Sequence, residues 1–420
     1  MVHRNGNFAK FKANYLFVDI ANRRKAFCDA NPTAKLISLG IGDTTEPLPS
    51  PIIDGFIRKA QDLSTAERYS GYPDYNGSAK LRQLIADTFY SNLEIHPDEI
   101  FISDGSKPDL ARIQLLFGPQ TTIAVQDPVY PAYVDGAVIS GKAGDYNESE
   151  GRYSSIVYMS CTPENGFFPD LSKVKRTHLI YFCSPNNPTG MAATKSQLEE
   201  LVRFAENNNS FIIFDAAYSQ FTGSPPSFIL RVSEYIQDPD VPHSIYSIEG
   251  SKRVAFETQS FSKLIGFTGV RLGWTVCPRK LEYEGGTPVW DDWARIMGTC
   301  FNGPSNLAEE GGIATLSPEG LRGMREMTSF YLENATIIRE AMERLGFSCY
   351  GGRNSPYIWV RIPGKDSWAA FQELLEKAHV VTTPGVGFGR EGAGFIRISG
   401  FAHRQDVLEA VARITKALSN

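Results

Sequence analysis

Between residues 100 and 276, short uninterrupted apolar runs alternate with stretches in which apolar residues recur every three to four positions. The runs predict strands over 100–103, 122–125, 178–182, 211–214, 254–259 and 274–276, and the periodic stretches predict helices over 108–117 and 195–206. A run such as Phe211-Ile212-Ile213-Phe214 lacks the polar alternation of a half-exposed strand; it suits a strand covered on both faces. Strands and helices in turn imply βαβ units and a mostly parallel sheet, a fold that binds ligands at the carboxyl ends of its strands. After residue 303 the order changes to a long helix over 318–345, a strand over 357–362, a helix over 367–378, a strand over 395–398 and a helix over 405–418. That reads as a smaller α+β unit. The expected organisation is α/β: a large unit over 49–303, a small one over 304–420, and a segment over 1–48, poor in core residues, packed on the small unit or a partner subunit. There is no internal repeat and no low-complexity linker.

Composition narrows the function classes. At 42% hydrophobic and 21% charged residues the 420-residue chain can bury a substantial core. A net charge of −5 without basic clusters gives no nucleic-acid footprint; Arg23-Arg24-Lys25 and Lys252-Arg253 read as solvated surface. No apolar run approaches the ~18 residues that would span a bilayer, and the first residues lack the apolar core of a signal segment. Six cysteines without a CxxC pair and six histidines without an HExxH spacing suit reduced thiols in a cytoplasmic enzyme without a dedicated metal.

Four segments carry candidate chemistry. Ser260-Phe261-Ser262-Lys263 follows a strand and precedes a glycine-containing stretch ending at Arg271. A lysine there is a candidate Schiff-base residue, because a compact amine changes its pKa readily when buried. The same residues match the S-x-x-K of penicillin-recognising acyl enzymes, whose S-D-N and K-T-G elements are missing. Asp215 directly follows an apolar strand, where a carboxylate can keep a pyridinium nitrogen protonated; Tyr218 comes three residues later. Read alone, the pair is first of all a helix-capping acid and a core tyrosine. Ser184-Pro-Asn-Asn187-Pro-Thr-Gly190 is a stiff turn that would hold the Asn187 amide in place. Asp104-Gly105-Ser106-Lys107 joins a strand to a helix, and helix-start N–H groups favour phosphate. With Ser260 and Arg271 it forms a candidate phosphate cup. Together these residue types point to pyridoxal 5′-phosphate (PLP).

In this order, the 184–190 heptapeptide, Asp215-x-x-Tyr218, the 260–263 tetrapeptide and Arg271-Leu272-Gly273 resemble the class I/II aminotransferases, fold-type I PLP enzymes, over nearly the whole chain. Residues 39–47, 102–107, 126–133, 214–218, 266–274 and 301–303 are similar to the branch that makes LL-2,6-diaminopimelate from tetrahydrodipicolinate with L-glutamate as donor. The resemblance implies a large, mostly parallel seven-stranded sheet, a smaller α+β domain, amino-acid and keto-acid substrates, and a homodimer with shared sites. It implies that Lys263 carries the cofactor and moves the substrate proton. Asp215 would meet the ring nitrogen, Asn187 and Tyr218 the ring oxygen, and Tyr130 the ring face. Ser106, Lys107, Ser260, Ser262 and Arg271 would surround the phosphate, joined by Tyr72 of the neighbouring subunit. Arg397 would hold the substrate α-carboxylate. Tyr15 (from the partner chain), Gly42 and Asn302 would line the substrate end with Lys107 and Asn187. One departure falls at Gly71–Gly77, where Tyr75 stands in place of the family's acid and Asp74 lies one residue earlier. Rival readings are another aminotransferase (aspartate, aromatic or alanine type), a related PLP lyase, or a non-catalytic regulator. The aspartate type usually carries an arginine that the 297–304 stretch lacks, and a regulator would be expected to have lost Lys263, Asp215 or Arg397.

Overall fold

The computed structural model describes residues 2–11, 16–222 and 240–418. Its main sheet has seven strands in the order Ile100–Ser103, Gly273–Val276, Ala255–Ser260, Phe211–Asp215, Leu179–Cys183, Ile123–Asp127 and Ile156–Ser160. Gly273–Val276 runs antiparallel to both neighbours; the other pairings are parallel. Side chains alternate across the sheet, and this sorts the core into two layers. Ile180, Phe182, Ile212 and Phe214 face one layer, while Leu179, Tyr181 and Ile213 face the other. Burial on both sides explains why these strands read as unbroken apolar runs. The edge strand Ile156–Ser160 was not expected: only Ile156 and Met159 of it are buried, so its pattern lacks that signature.

The second sheet is antiparallel, in the order Ser348–Gly351, Tyr357–Arg361, Phe395–Ser399, Thr383–Pro384. Its core includes Ile358, Val360, Ile396 and Ile398, packed with Ile338 and Met342 of the helix Pro318–Arg344. Ser317 starts that helix by accepting the Gly320 N–H at 3.1 Å, with Pro318 at the first position, where its missing N–H costs nothing. The helix expected over 367–378 is α-helical only to Glu373; Leu374–Ala378 widens to a π turn that ends at left-handed His379.

The N-terminal segment touches both sheet units. Ile37–Ser38 pairs in parallel with Val380–Val381, and Leu16 and Ile20 pack in a cluster with Trp359 and Phe388. Earlier, Tyr153 donates from its hydroxyl to Lys10 O (3.1 Å) and Asn7 donates to Ile139 O (3.4 Å), both beside the main sheet. The stretch 39–46 between these regions is pinned by Tyr331, whose hydroxyl accepts the N–H groups of Thr45 (2.7 Å) and Glu46 (2.9 Å). No helix among the described residues is long and apolar enough to cross a membrane.

Candidate active site

Where the central strands of the main sheet end, a cavity of about 440 Å³ opens against the second sheet. Strand Ala255–Ser260 stops at Ser260, whose side chain accepts the Ser262 N–H (3.1 Å) and starts the one-turn helix Phe261–Leu264. Lys263 projects from that turn and donates to the Gly42 carbonyl. Ser260 is thus a cap and the lysine is engaged elsewhere, unlike the coupled pair the S-x-x-K reading needs. Removal from water, reinforced by Arg397 and Arg271 and opposed by Asp43, pushes Lys263 from 10.5 down to about 8. Its neutral, nucleophilic form is therefore accessible near neutral pH.

Asp215, the last residue of its strand, is buried. It accepts the Tyr133 hydroxyl at 2.6 Å and the Ala217 N–H at 3.3 Å. Burial nonetheless raises its carboxyl to about 6, these two donors opposing the shift. Three residues on, Tyr218 shares a 2.9 Å hydrogen bond with the hydroxyl of Tyr357 from the second sheet. Asn187 accepts Arg397 Nη1 at 2.6 Å on its side-chain oxygen, so the amide NH₂ remains as its donor. Arg397, 1% exposed on strand Phe395–Ser399, also donates through Nη2 to Gly40 O at 2.7 Å, and its buried Nε–H has no partner among the described residues.

An anion-binding corner closes one end. Ser106 opens the helix Ser106–Ile113, two residues ahead of the expected start, because Pro108 still falls within the first turn, where a proline is tolerated. Gly105, at φ +121°, precedes it, and a Cβ there would lie 2.7 Å from Arg271 Nη2. Only glycine leaves room for that guanidinium beside the helix start. Arg271, itself left-handed (φ +69°), donates to Ser262 Oγ at 3.1 Å. Tyr130 and Lys107 complete this wall, the ammonium standing 5.9 Å from the ring centroid.

The cavity therefore gathers Gly42, Ser106, Lys107, Tyr130, Asn187, Asp215, Tyr218, Ser260, Ser262, Lys263, Arg271 and Arg397 from segments far apart in sequence. Tyr72 and Asn302 are not brought into it. Tyr72 is 91% exposed and lines a separate groove with Lys59 and Asn306, while Asn302 is exposed in a left-handed conformation after the helix Val289–Cys300. Tyr15 lies outside the described residues. Sequence reasoning passed over Tyr133 and Tyr357. Tyr133 sits inside the 126–133 segment with nothing to set it apart from a core tyrosine, and Tyr357 opens a strand that is otherwise plainly core.

Comparison with known proteins agrees with this geometry. The model of the family "Aminotransferase class I and II" matches residues 34–414. The chain is 54% identical over 413 residues, 98% of its own length and 86% of the relative's, to a probable chloroplastic LL-diaminopimelate aminotransferase of Oryza sativa subsp. japonica. It is 49% identical over 418 residues, 100% of its length and 98% of the relative's, to the LL-diaminopimelate aminotransferase of Protochlamydia amoebophila (strain UWE25). The solved L,L-diaminopimelate aminotransferase of Chlamydomonas reinhardtii superposes with a TM-score of 0.92 at 54% identity, covering 99% of this chain and 98% of that one. With a lysine, a buried acid and an anion corner at the strand ends of such a fold, the chain belongs to the class I and II aminotransferases.

Proposed function

We propose that this enzyme transfers an amino group between L-glutamate and tetrahydrodipicolinate, forming LL-2,6-diaminopimelate and 2-oxoglutarate. The observation that carries the transamination chemistry is Lys263, an amine of lowered pKa that lines one cavity with Arg397, whose buried Nε–H has no partner among the described residues. The substrate is supported by relatives at 45–54% identity over 98–100% of this chain that bear the LL-diaminopimelate name.

Pyridoxal 5′-phosphate is the cofactor of this family, and the residues fit it. The glycine-cleared corner of Ser106, Ser262 and Arg271 suits a phosphate ester, and Asp215 suits a protonated ring nitrogen. When bound, the cofactor supplies an electron-withdrawing ring that stabilises charge at the substrate α-carbon. The chain's own groups do the rest. Arg397 presents a guanidinium to the substrate α-carboxylate, and Asn187, locked by Arg397, offers its NH₂. Lys263 Nζ would take the α-proton and return a proton two atoms away, across the nitrogen being transferred. Asp215 exchanges a costly buried charge for a paired one. Fixing substrate at carboxylate and α-carbon together is what selects proton transfer among competing bond cleavages.

We further read the active unit as a cytoplasmic homodimer in which Tyr15, Tyr72 and Asn302 complete the partner's site, with 49–303 and 304–420 as large and small domains. At the departure from the family pattern, Tyr75 packs its ring toward Phe101 (centroids 6.5 Å apart) while Asp74 is exposed, so Asp74 is the acid on offer to a distal ammonium. One half-reaction tests the proposal. Holoenzyme mixed with LL-diaminopimelate and no keto acid should lose its visible cofactor absorbance in a single turnover and regain it on addition of 2-oxoglutarate. Unchanged absorbance would rule the substrate out.

A further inference from the structure

Tyr357 lies against three residues of the cavity, Tyr218, Arg397 and Gly42. It is buried at 2% exposure and opens strand Tyr357–Arg361. Its hydroxyl meets Tyr218 Oη at 2.9 Å, and its ring lies 4.3 Å from the Arg397 guanidinium carbon. Its place is set by glycines. A Cβ on Gly42 would fall 1.9 Å from the Tyr357 hydroxyl, and one on Gly190 would fall 2.3 Å from the Tyr357 carbonyl oxygen. The N-terminal segment that receives Lys263 and the turn that carries Asn187 thus press on Tyr357 from two sides. A core tyrosine needs only one partner for its hydroxyl and apolar walls for its ring. Here the ring instead lies against a buried cation whose hydrogen bonds go to an amide oxygen and a backbone carbonyl.

We propose that Tyr357 is a positioning residue that couples the two halves of the site, its ring holding Arg397 for the substrate carboxylate and its hydroxyl orienting Tyr218. This rests on the roles given above to Arg397 and Tyr218. A tyrosine has one proton. For Tyr218 to donate to the cofactor's ring oxygen, its own oxygen accepts from Tyr357, and that second bond makes Tyr218 the stronger donor. A donor to the ring oxygen favours the form in which that oxygen carries more charge, the form present at high pH. Tyr357 therefore keeps the midpoint of the bound cofactor's absorbance titration low.

Wild type, Tyr357→Phe and Tyr357→Leu holoenzymes separate the two contributions. Tyr357→Phe keeps the ring, so its absorbance midpoint should rise by about half a pH unit or more while KM for LL-diaminopimelate stays within about twofold. Tyr357→Leu should show the same rise together with a KM increased about tenfold, through loss of the support under Arg397. An unmoved midpoint in Tyr357→Phe, or equal KM values for the two variants, overturns the coupling. Should the leucine variant not fold, the midpoint in the phenylalanine variant decides alone. A wild type that neither titrates nor turns over LL-diaminopimelate would instead refute the functional reading beneath it.

Discussion

Lys263 and Asp215 line the same cavity, and burial disfavours the charged form of each. Burial lowers the lysine from 10.5 to about 8, so the cofactor-free fold binds fewer protons than the unfolded chain across that window. Its stability should accordingly rise with pH between those values. The neutral amine is also the form that captures an aldehyde. PLP uptake by cofactor-free protein should therefore speed up with pH and level off just above 8; a rate still climbing toward 10 would mean the lysine is unperturbed. Asp215 runs the opposite way. Its carboxyl, raised to about 6, makes the folded state bind more protons than the unfolded one below that value, so its contribution turns unfavourable as pH rises through 6. Asp215→Asn should leave the cofactor-free protein at least as stable at neutral pH, by up to ~2 kcal/mol in urea unfolding, because no buried charge remains. The same variant should bind PLP at least about tenfold more weakly, having lost the charged acceptor. Tighter binding would place the ring nitrogen elsewhere.

At the scale of elements, the two sheets meet through an acid at a strand end. Asp127 closes strand Ile123–Asp127, 1% exposed, and takes Arg152 Nη2 at 2.5 Å and the Glu391 N–H at 3.2 Å. A Cβ at Gly389 would strike the same carboxylate at 2.1 Å, and Val129 N donates to Phe388 O at 2.8 Å. This clasp seats Phe388 beneath Arg397 (4.9 Å to the ring) while fixing the backbone that leads to Tyr130. Removing Arg152 leaves a buried charge with little compensation. Arg152→Met should cost about 2–3 kcal/mol in unfolding, and adding Asp127→Asn should recover a large part of it. Additive losses would show that the pair does not act as a unit. The clasp was not legible beforehand, because Arg152 and Glu391 are unremarkable in sequence and meet Asp127, itself within the 126–133 segment, only through folding. The strands were legible for the opposite reason: the apolar runs 211–214 and 179–183 suit two-sided burial, and all but half-buried Phe211 are buried. The pattern starts helix Ser106–Ile113 two residues late because Pro108 reads as its first position, and it leaves out the edge strand Ile156–Ser160 because only Ile156 and Met159, one on each face, are buried.

For the molecule as a whole, most of the cavity could be listed from motifs, since Lys263, Asp215 and Asn187 lie at strand ends where a parallel sheet opens. Tyr133 and Tyr357 could not, because what distinguishes each is a partner hydroxyl or carboxylate supplied by a distant segment. Tyr72 stands outside its own chain's cavity, which bears on the assembly. If it serves the partner's site, a Lys263→Ala chain and a Tyr72→Ala chain should complement each other, the hybrid dimer having one intact site. Mixing the two after co-refolding should restore activity toward one quarter of wild type at equal proportions, whereas activity no greater than the sum of the parents would argue for self-contained sites. The central claim, amino transfer to and from LL-diaminopimelate in this cavity, is tested most directly by steady-state assay of the purified holoenzyme. LL-diaminopimelate would be the donor and 2-oxoglutarate the acceptor, with meso-diaminopimelate, aspartate and phenylalanine as parallel donors. The account predicts tetrahydrodipicolinate formation with strong preference for the LL isomer, abolished by Lys263→Ala. Turnover of aspartate or phenylalanine without turnover of LL-diaminopimelate would contradict it, leaving the aminotransferase chemistry but not its substrate.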